Sequence, residues 1–552
     1  MDKRTLYALL MIMVMFLIFN QFVWKPQSEQ KQKQQQATPT RTTTLTDTTK
    51  AHTQTTPEAV VESIEAGIEV KDDIILKNSL VEVTLSNRGG IIRQVKLLSD
   101  QFKMPDGSPV LLIPGGGTIA GLTLKTQQGN IHLPDLILSY NQPSDTEVEF
   151  FLRQGEAQVY HSRFVLNEDY GISFSFKVEN WHPVSGSVFD VGSGIADTEA
   201  RLKTKAQDYR FILNANNQMS KHTMADLGTG KTEFINSFNW AALRSKYFVL
   251  AVKEGISESP VLTNQYTAKT INYLNPKQEQ AESPAFALKS DRDFHNTWQQ
   301  GFLIYAGPTD FDILKQYGNE MESIVERGAK WLLWLSNIFA AVLTFLHKIF
   351  HNYGIVIIVF SILLKIVLYP LTLKTTRSMI KMQQIQPQIQ ELQRKYKDDR
   401  KRQQQEIMQL YKETGTNPFG GCWPFLLQMP IFFSLFNVLR YSLEMRNAHF
   451  VGWITDLSEP DPYLVLPILM AVFMVVQQRM MRPPAQNPAD MDDKQRAAYQ
   501  STKMMAWIMP VMMFFIFKGM PAGLVLYWTI FNILSVIHQY YIQKHFKIKE
   551  AQ

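Results

Sequence analysis

A single cysteine, Cys422, in 552 residues leaves no partner for an intramolecular disulfide and no thiolate set for a zinc site. Charge is also scarce: Asp, Glu, Lys and Arg make up 19% of the chain, below the roughly 25% of soluble domains. His132, His161, His182, His222 and His295 are scattered, without the i, i+2 or i, i+4 spacing that holds a metal. These shortages exclude a secreted disulfide scaffold, a Cys-rich metal centre and an ordinary cytosolic enzyme. What the chain does have is long apolar runs at 1–24 and within 329–552, separated by a polar, alternating stretch. Most of the 24 methionines share the second apolar region. The pattern is that of a membrane protein with a large soluble insert.

Asp2, Lys3 and Arg4 precede an uncharged stretch to Trp24. Twenty residues at 1.5 Å each span a hydrocarbon core of about 30 Å. The run exceeds a signal peptide's apolar region and lacks a small-x-small cleavage site, so 1–24 is expected to be an uncleaved anchor. Lys3 and Arg4 place the N-terminus in the cytoplasm. Residues 25–57, rich in Gln and Thr, are expected to form a disordered linker.

From 58 to 328 the pattern is of period two. Ser79–Ser86, Gly121–Thr126, Val148–Arg153 and Ile172–Val178 are strand candidates, separated by Gly- and Pro-rich turns. They predict a large β-sandwich, followed by a helical tail over about 309–328. Gly228-Thr229-Gly230-Lys231-Thr232 resembles the end of a phosphate-binding loop. The full motif needs glycine where Ala225 stands, so a polar turn and no nucleotide site are expected.

Six apolar stretches follow, and the positive-inside rule sorts them. The 374–415 loop holds ten Lys/Arg against five acids and belongs in the cytoplasm. That parity requires the first stretch, 329–351, to lie in the interface plane. Lys330, Asn337, Thr344, Lys348 and His351 form its polar stripe, with Trp331 and Trp334 as anchors. Five spans remain, at 353–373, 419–440, 463–481, 504–518 and 522–541, giving six with the first anchor. Both termini are then cytoplasmic, with a basic tail at 542–552. Met382, Ile385, Ile389, Leu392 and Tyr396 make a heptad seam in the 374–415 loop, predicting an antiparallel helical hairpin kinked at Pro387. Such a hairpin is either a solvated structure or a docking surface for a ribosome or a nascent chain.

Lys365 lies inside the 353–373 run, with uncharged residues from Ile355 to Leu364 and from Ile366 to Leu373. A lysine at mid-membrane costs about 2.5–3.5 kcal/mol on insertion scales, which points to a water-filled cavity and a functional site. None of the five C-terminal runs supplies an acid to pair with it. A solute transporter with an anion site would need inverted repeats, which are not found. A membrane-tethered periplasmic glycan-binding protein or enzyme would need clustered carboxylates or histidines in the insert, and none stands out.

The motifs Tyr369-Pro370-Leu371-Thr372, Asn417-Pro418-Phe419-Gly420-Gly421-Cys422, Gln428-Met429-Pro430-Ile431-Phe432, Asp461-Pro462-Tyr463 and Pro521-Ala522-Gly523-Leu524-Val525-Leu526-Tyr527-Trp528 resemble those of the bacterial YidC insertases. The mitochondrial and chloroplast insertases belong to the same family. The resemblance covers 329–552 in order and spacing, and the anchor and insert look like the Gram-negative form. It implies an inner-membrane protein with a periplasmic all-β supersandwich at 58–328. The same resemblance implies a five-helix core at 352–541 around a hydrophilic groove. Lys365, where the family usually has arginine, would be the groove cation. Ser361, Gln428, Met429, Pro430, Phe432, Met470 and Trp528 would line the substrate path. Implied partners are nascent integral membrane proteins, the lipid bilayer, the Sec translocon with its accessory complex, and the ribosome through the hairpin and basic tail. No cofactor and no enzymatic chemistry are implied.

Overall fold

The computed structural model describes residues 69–550 apart from 105, 116, 180, 182, 200–207, 217, 229, 256–262, 276–278, 292, 294–296, 397–398, 417–422 and 481–492. The expected anchor and linker, His182, His295 and the motif at Asn417–Cys422 lie outside the described residues. Residues 484–509 belong to a separate compact unit, whose described part is helical. All packing described below lies within 69–483 and 510–550.

Alternation becomes strands wherever one face is buried. Val148, Phe150 and Leu152 of Glu147–Gln154 point inward, as do Ile172, Phe174, Phe176 and Val178 of Gly171–Glu179. The strands form two large antiparallel sheets. In spatial order the nine-stranded sheet runs Gln218–Thr223, Arg210–Ala215, Phe238–Arg244, Phe248–Glu254, Thr297–Pro308, Gly171–Glu179, Ala157–Leu166, Glu147–Gln154 and Ser139–Ser144. The six-stranded sheet runs Lys231–Phe234, Gln265–Leu274, Gln280–Ser290, Val184–Val191, Gly121–Thr126 and Gly129–His132. A third sheet holds Ile74–Lys77, Val81–Ser86 and Ile91–Leu97. Aromatic rings fill the space between the large sheets. Phe189 stacks on Phe302 at 4.5 Å and tilts against Phe174 at 5.6 Å, and Phe211 meets Phe286 at 5.4 Å. Truncating one such phenylalanine costs about 3–5 kcal/mol, and buried Ile, Leu and Val side chains complete the core.

The Gly230 N–H closes a turn on the Leu227 carbonyl, and Lys231 and Thr232 open a strand. Thr223 caps a four-residue helix, α1 (Met224–Leu227), by a reciprocal capping box with Asp226. Lys231–Phe234 then continues as a strand, where a phosphate loop would open a helix. His132, His161 and His222 sit on separate strands beside Thr123, Glu149 and Ser220 respectively.

The helical half begins with α2 (Phe311–Gln316), capped by Asp310, and continues with α3 (Leu333–His347), α4 (Tyr353–Val367), α5 (Tyr369–Gln384), α6 (Gln386–Lys395), α7 (Arg400–Glu413), α8 (Trp423–Tyr441), α9 (Val465–Met480), α10 (Asp493–Phe517) and α11 (Ala522–Glu550). Asn337, Thr344 and Lys348 of α3 and its end are exposed, as are Trp331 and Trp334, while Phe339, Leu343 and Leu346 are buried. In α4 and α9, Ile362, Leu363, Ile366, Ile468, Leu469 and Val472 are exposed while Phe360 and Met470 are buried. Apolar side chains on the outer as well as the inner faces are what a lipid-facing helix carries.

The single helix expected over 353–373 is two helices meeting at a bend of 62°. Pro370 has no N–H to return to the carbonyl four residues back and its ring crowds that turn, so α4 ends and α5 begins in a new direction. Among the described helices, Ala522–Lys544 is long and apolar enough to cross a bilayer, and α4 with α5 makes a second if the bent pair counts as one span. Leu333–His347, Val465–Met480 and Trp507–Phe517 are shorter apolar helices. The hairpin consists of α6 and α7, broken from α5 at Ile385 beside Pro387. Ile385 and Ile389 of the expected seam are buried, and Gln403 Nε2 donates to the Gln393 carbonyl across the turn.

Candidate functional site

Asn352 starts α4 by accepting from the Ile355 N–H at 3.2 Å. One face of the helix then carries Ile357, Ser361 and Lys365 at four-residue steps. Ser361 is fully buried and returns its hydroxyl to the Ile357 carbonyl at 2.6 Å. Counting along the apolar run puts Lys365 near its middle, but α4 stops at Val367, so the lysine occupies the helix's last turn. It is nonetheless 8% exposed, because α11 covers it.

The Lys365 ammonium donates to Ser535 Oγ at 2.8 Å and lies 4.4 Å from the centre of the Phe531 ring. Ser535 in turn donates to the Phe531 carbonyl at 2.7 Å. Among the described residues no carboxylate forms an ion pair with Lys365, and only one of its three N–H donors is used.

A second polar contact lies on the same helix. Gln428 Nε2 of α8 donates to the fully buried Tyr527 hydroxyl at 3.1 Å. One turn along α8, Phe432 meets Trp528 edge-on at 5.2 Å, and Phe517 lies 5.4 Å from the same indole. Pro430 sits inside α8 and is half-buried, like Met429. Met470 is fully buried on α9, and where α9 meets α11 the Thr529 hydroxyl donates to the Val525 carbonyl of its own helix at 2.7 Å and lies 3.3 Å from the Leu466 carbonyl. Thus α11 is the common wall against which α4, α8 and α9 set the expected path residues. Sequence reasoning assigned no path role to Tyr527, Phe531 and Ser535, although their i, i+4, i+8 spacing marks one helix face.

The remaining motifs shape the loop between α8 and α9. Asp461, 3% exposed, accepts from Trp453 Nε1 and from the Tyr463 and Leu466 N–H groups, which fixes the entry to α9. Ala522 and Gly523 donate to the carbonyls of Glu459 and Leu457. A Cβ on Gly523 would stand 3.1 Å from Ile357 and 3.3 Å from the Leu457 oxygen, so the helix start fits closely only with glycine.

The same loop meets the β domain through buried charge. Arg446 donates to the carbonyls of Lys103 at 2.7 Å and Thr198 at 2.9 Å, and pairs with Glu199 at 3.1 Å. Arg440, at the end of α8, pairs with Asp208 at 3.2 Å. Burial pushes the Glu199 carboxyl upward, against the pull of Arg446 and Lys246. Nothing in the local sequence around Arg440 and Arg446 points to these pairs, because their acidic partners lie over 230 residues away in the chain.

Residues 345–550 match the family described as 60Kd inner membrane protein, and residues 73–342 match the YidC periplasmic domain. The membrane protein insertase YidC of Geotalea daltonii is 30% identical over 572 aligned residues, covering 99% of this chain and 99% of the relative. The membrane protein insertase YidC of Syntrophus aciditrophicus is 29% identical and covers 99% of this chain and 100% of its own. An active YidC insertase crystal structure with the first transmembrane domain resolved covers 86% of this chain and 93% of that chain at 19% identity, with a TM-score of 0.36, too loose a superposition to argue from. The β domain is therefore a periplasmic domain, the helical half is the insertase region, and the chain belongs to the YidC family of membrane protein insertases.

Proposed function

We propose that this protein inserts and helps to fold integral proteins of the inner membrane, alone or beside the Sec translocon. The observation that carries the reading is Lys365: a buried cation, unpaired with any described carboxylate, among helices whose outer faces are apolar. A carboxylate brought to about 4 Å from it gains roughly 4 kcal/mol at an effective dielectric of 20. That is enough to dwell on an acidic, hydrophilic segment without trapping it.

The chain would cross the membrane six times with both termini in the cytoplasm and with α3 in the interface. A ribosome-bound nascent chain would be received at the α6–α7 hairpin and the basic tail. Ser361, Gln428, Met429, Pro430, Phe432, Met470 and Trp528 would line the path from Lys365 into lipid. Methionines provide adaptable contacts for unrelated substrate helices. The substrate's own apolar transfer energy, roughly 25 cal/mol per Å² buried, would drive the step.

Reconstitution of the purified full chain into liposomes tests this directly. Single-span substrates should become protease-protected in proteoliposomes and stay accessible in empty vesicles. Equal protection in both would end the reading.

A further inference from the structure

We propose that Ser535 is the positioning residue for the Lys365 ammonium, holding it where its free donors meet the carboxylates of an acidic substrate segment. This rests on the insertase reading above. A lysine is a compact charge on a flexible four-carbon stem, and in apolar surroundings it swings its head toward the nearest water. Lys365 stands two residues from the end of α4, where the helix no longer confines the far end of its stem. Its head is instead turned onto α11.

The direction of the Ser535 hydrogen bonds explains why. The hydroxyl has one proton, and it goes to the Phe531 carbonyl at 2.7 Å. What remains toward Lys365 is a lone pair, so Ser535 is a fixed acceptor at 2.8 Å from Nζ. The Phe531 ring, one turn earlier on the same face, is a second seat at 4.4 Å. Both contacts come from neutral groups. They orient the charge without cancelling it, which an aspartate at this place would do. One turn away on the same helix, Asn532 is 7% exposed and its Nδ2 has no hydrogen-bond partner among the described residues. An unpaired buried donor on the helix that seats the cation suits a carboxylate, which accepts several hydrogen bonds at once.

The test uses the full chain in proteoliposomes and two single-span substrates, identical except that one translocated tail carries Asp and Glu and the other Asn and Gln. In S535A the ratio of acidic-tailed to neutral-tailed insertion should fall roughly tenfold, the low end for one lost hydrogen bond to a charged group. S535T, which keeps the hydroxyl, should restore the ratio. In a K365A background, S535A should change the ratio no further. An unchanged ratio in S535A, or an additional loss in the double variant, overturns the positioning role. A K365A variant whose own ratio is unchanged overturns the lysine's part in the proposed function, whatever Ser535 does.

Discussion

Arg440 Nη2 lies 3.2 Å from Asp208 Oδ1, a contact that closes 232 residues of chain and ties the end of α8 to the β domain. Both side chains are almost fully buried. Taking two charges out of water is costly, and only the good geometry of the pair offsets it.

Removing one partner should therefore be worse than removing both. D208A and R440A should each destabilise the folded chain by about 3–5 kcal/mol, while the apolar pair D208L/R440M should lose far less. Thermal unfolding of the purified chain in detergent measures this. A D208A variant as stable as the parent would show that the pair contributes nothing.

Deleting most of the β domain should leave the path along α11 intact, so insertion per molecule should persist. The same deletion strips Arg446 of Glu199, Thr198 and Lys103, and Arg440 of Asp208. The truncated protein should accumulate poorly, and R440M with R446M should raise its level. Loss of insertion at normal membrane level would instead give the β domain a direct part.

Glu326 sets an acid limit. Burial opposes its ionisation, yet Arg244 and Lys221 outweigh this and hold its carboxyl below the ordinary 4.5. A depressed carboxyl contributes stability that is fully present above 4.5 and is lost as pH falls through the lower folded value. Glu199 has the opposite sign: its raised carboxyl adds stability as pH falls toward 4.5. E326Q should thus be less stable than the parent at neutral pH, with the gap narrowing on acidification. Unfolding midpoints measured across pH 3–7 decide it, and a constant gap would refute the assignment.

Charge at Lys365 should be separable from shape. K365R should retain insertion of acidic-tailed substrates, K365A should impair them selectively, and K365E should be worst, because like charges repel strongly where the dielectric is low. Levels must be matched by quantitative blotting. Equal handling of acidic and neutral tails by K365A and K365E would reduce the lysine to a structural role.

Local pattern carried the sequence reading a long way. Gly121–Thr126 and the strands around Phe150 and Phe174 were legible because alternation records a half-buried sheet. The hairpin was legible in its seam. The 62° bend at Leu368 was hidden because an apolar run looks alike whether it passes through one helix or two. Lys365 stood out as a lone charge within an apolar run, but Ser535 stands 170 residues away and no local rule connects them. Arg440 and Asp208 were hidden for the same reason: a charge at the end of an apolar run reads as a solvent anchor until its partner is seen.

Asn352 does two jobs with one amide. Its oxygen caps α4, and its nitrogen donates to the carbonyls of His449 and Phe450 in the loop between α8 and α9. Gly354, on the first turn, leaves room for the Phe450 ring that no side chain would permit. The helix that carries Lys365 in its last turn therefore starts from contacts shared with that loop, about 20 Å from the lysine at 1.5 Å per residue. Pulling the loop away would strip the first turn of α4 of its cap and of the Phe450 ring packed on it, so the loop and the start of the helix that carries the cation are built as one piece.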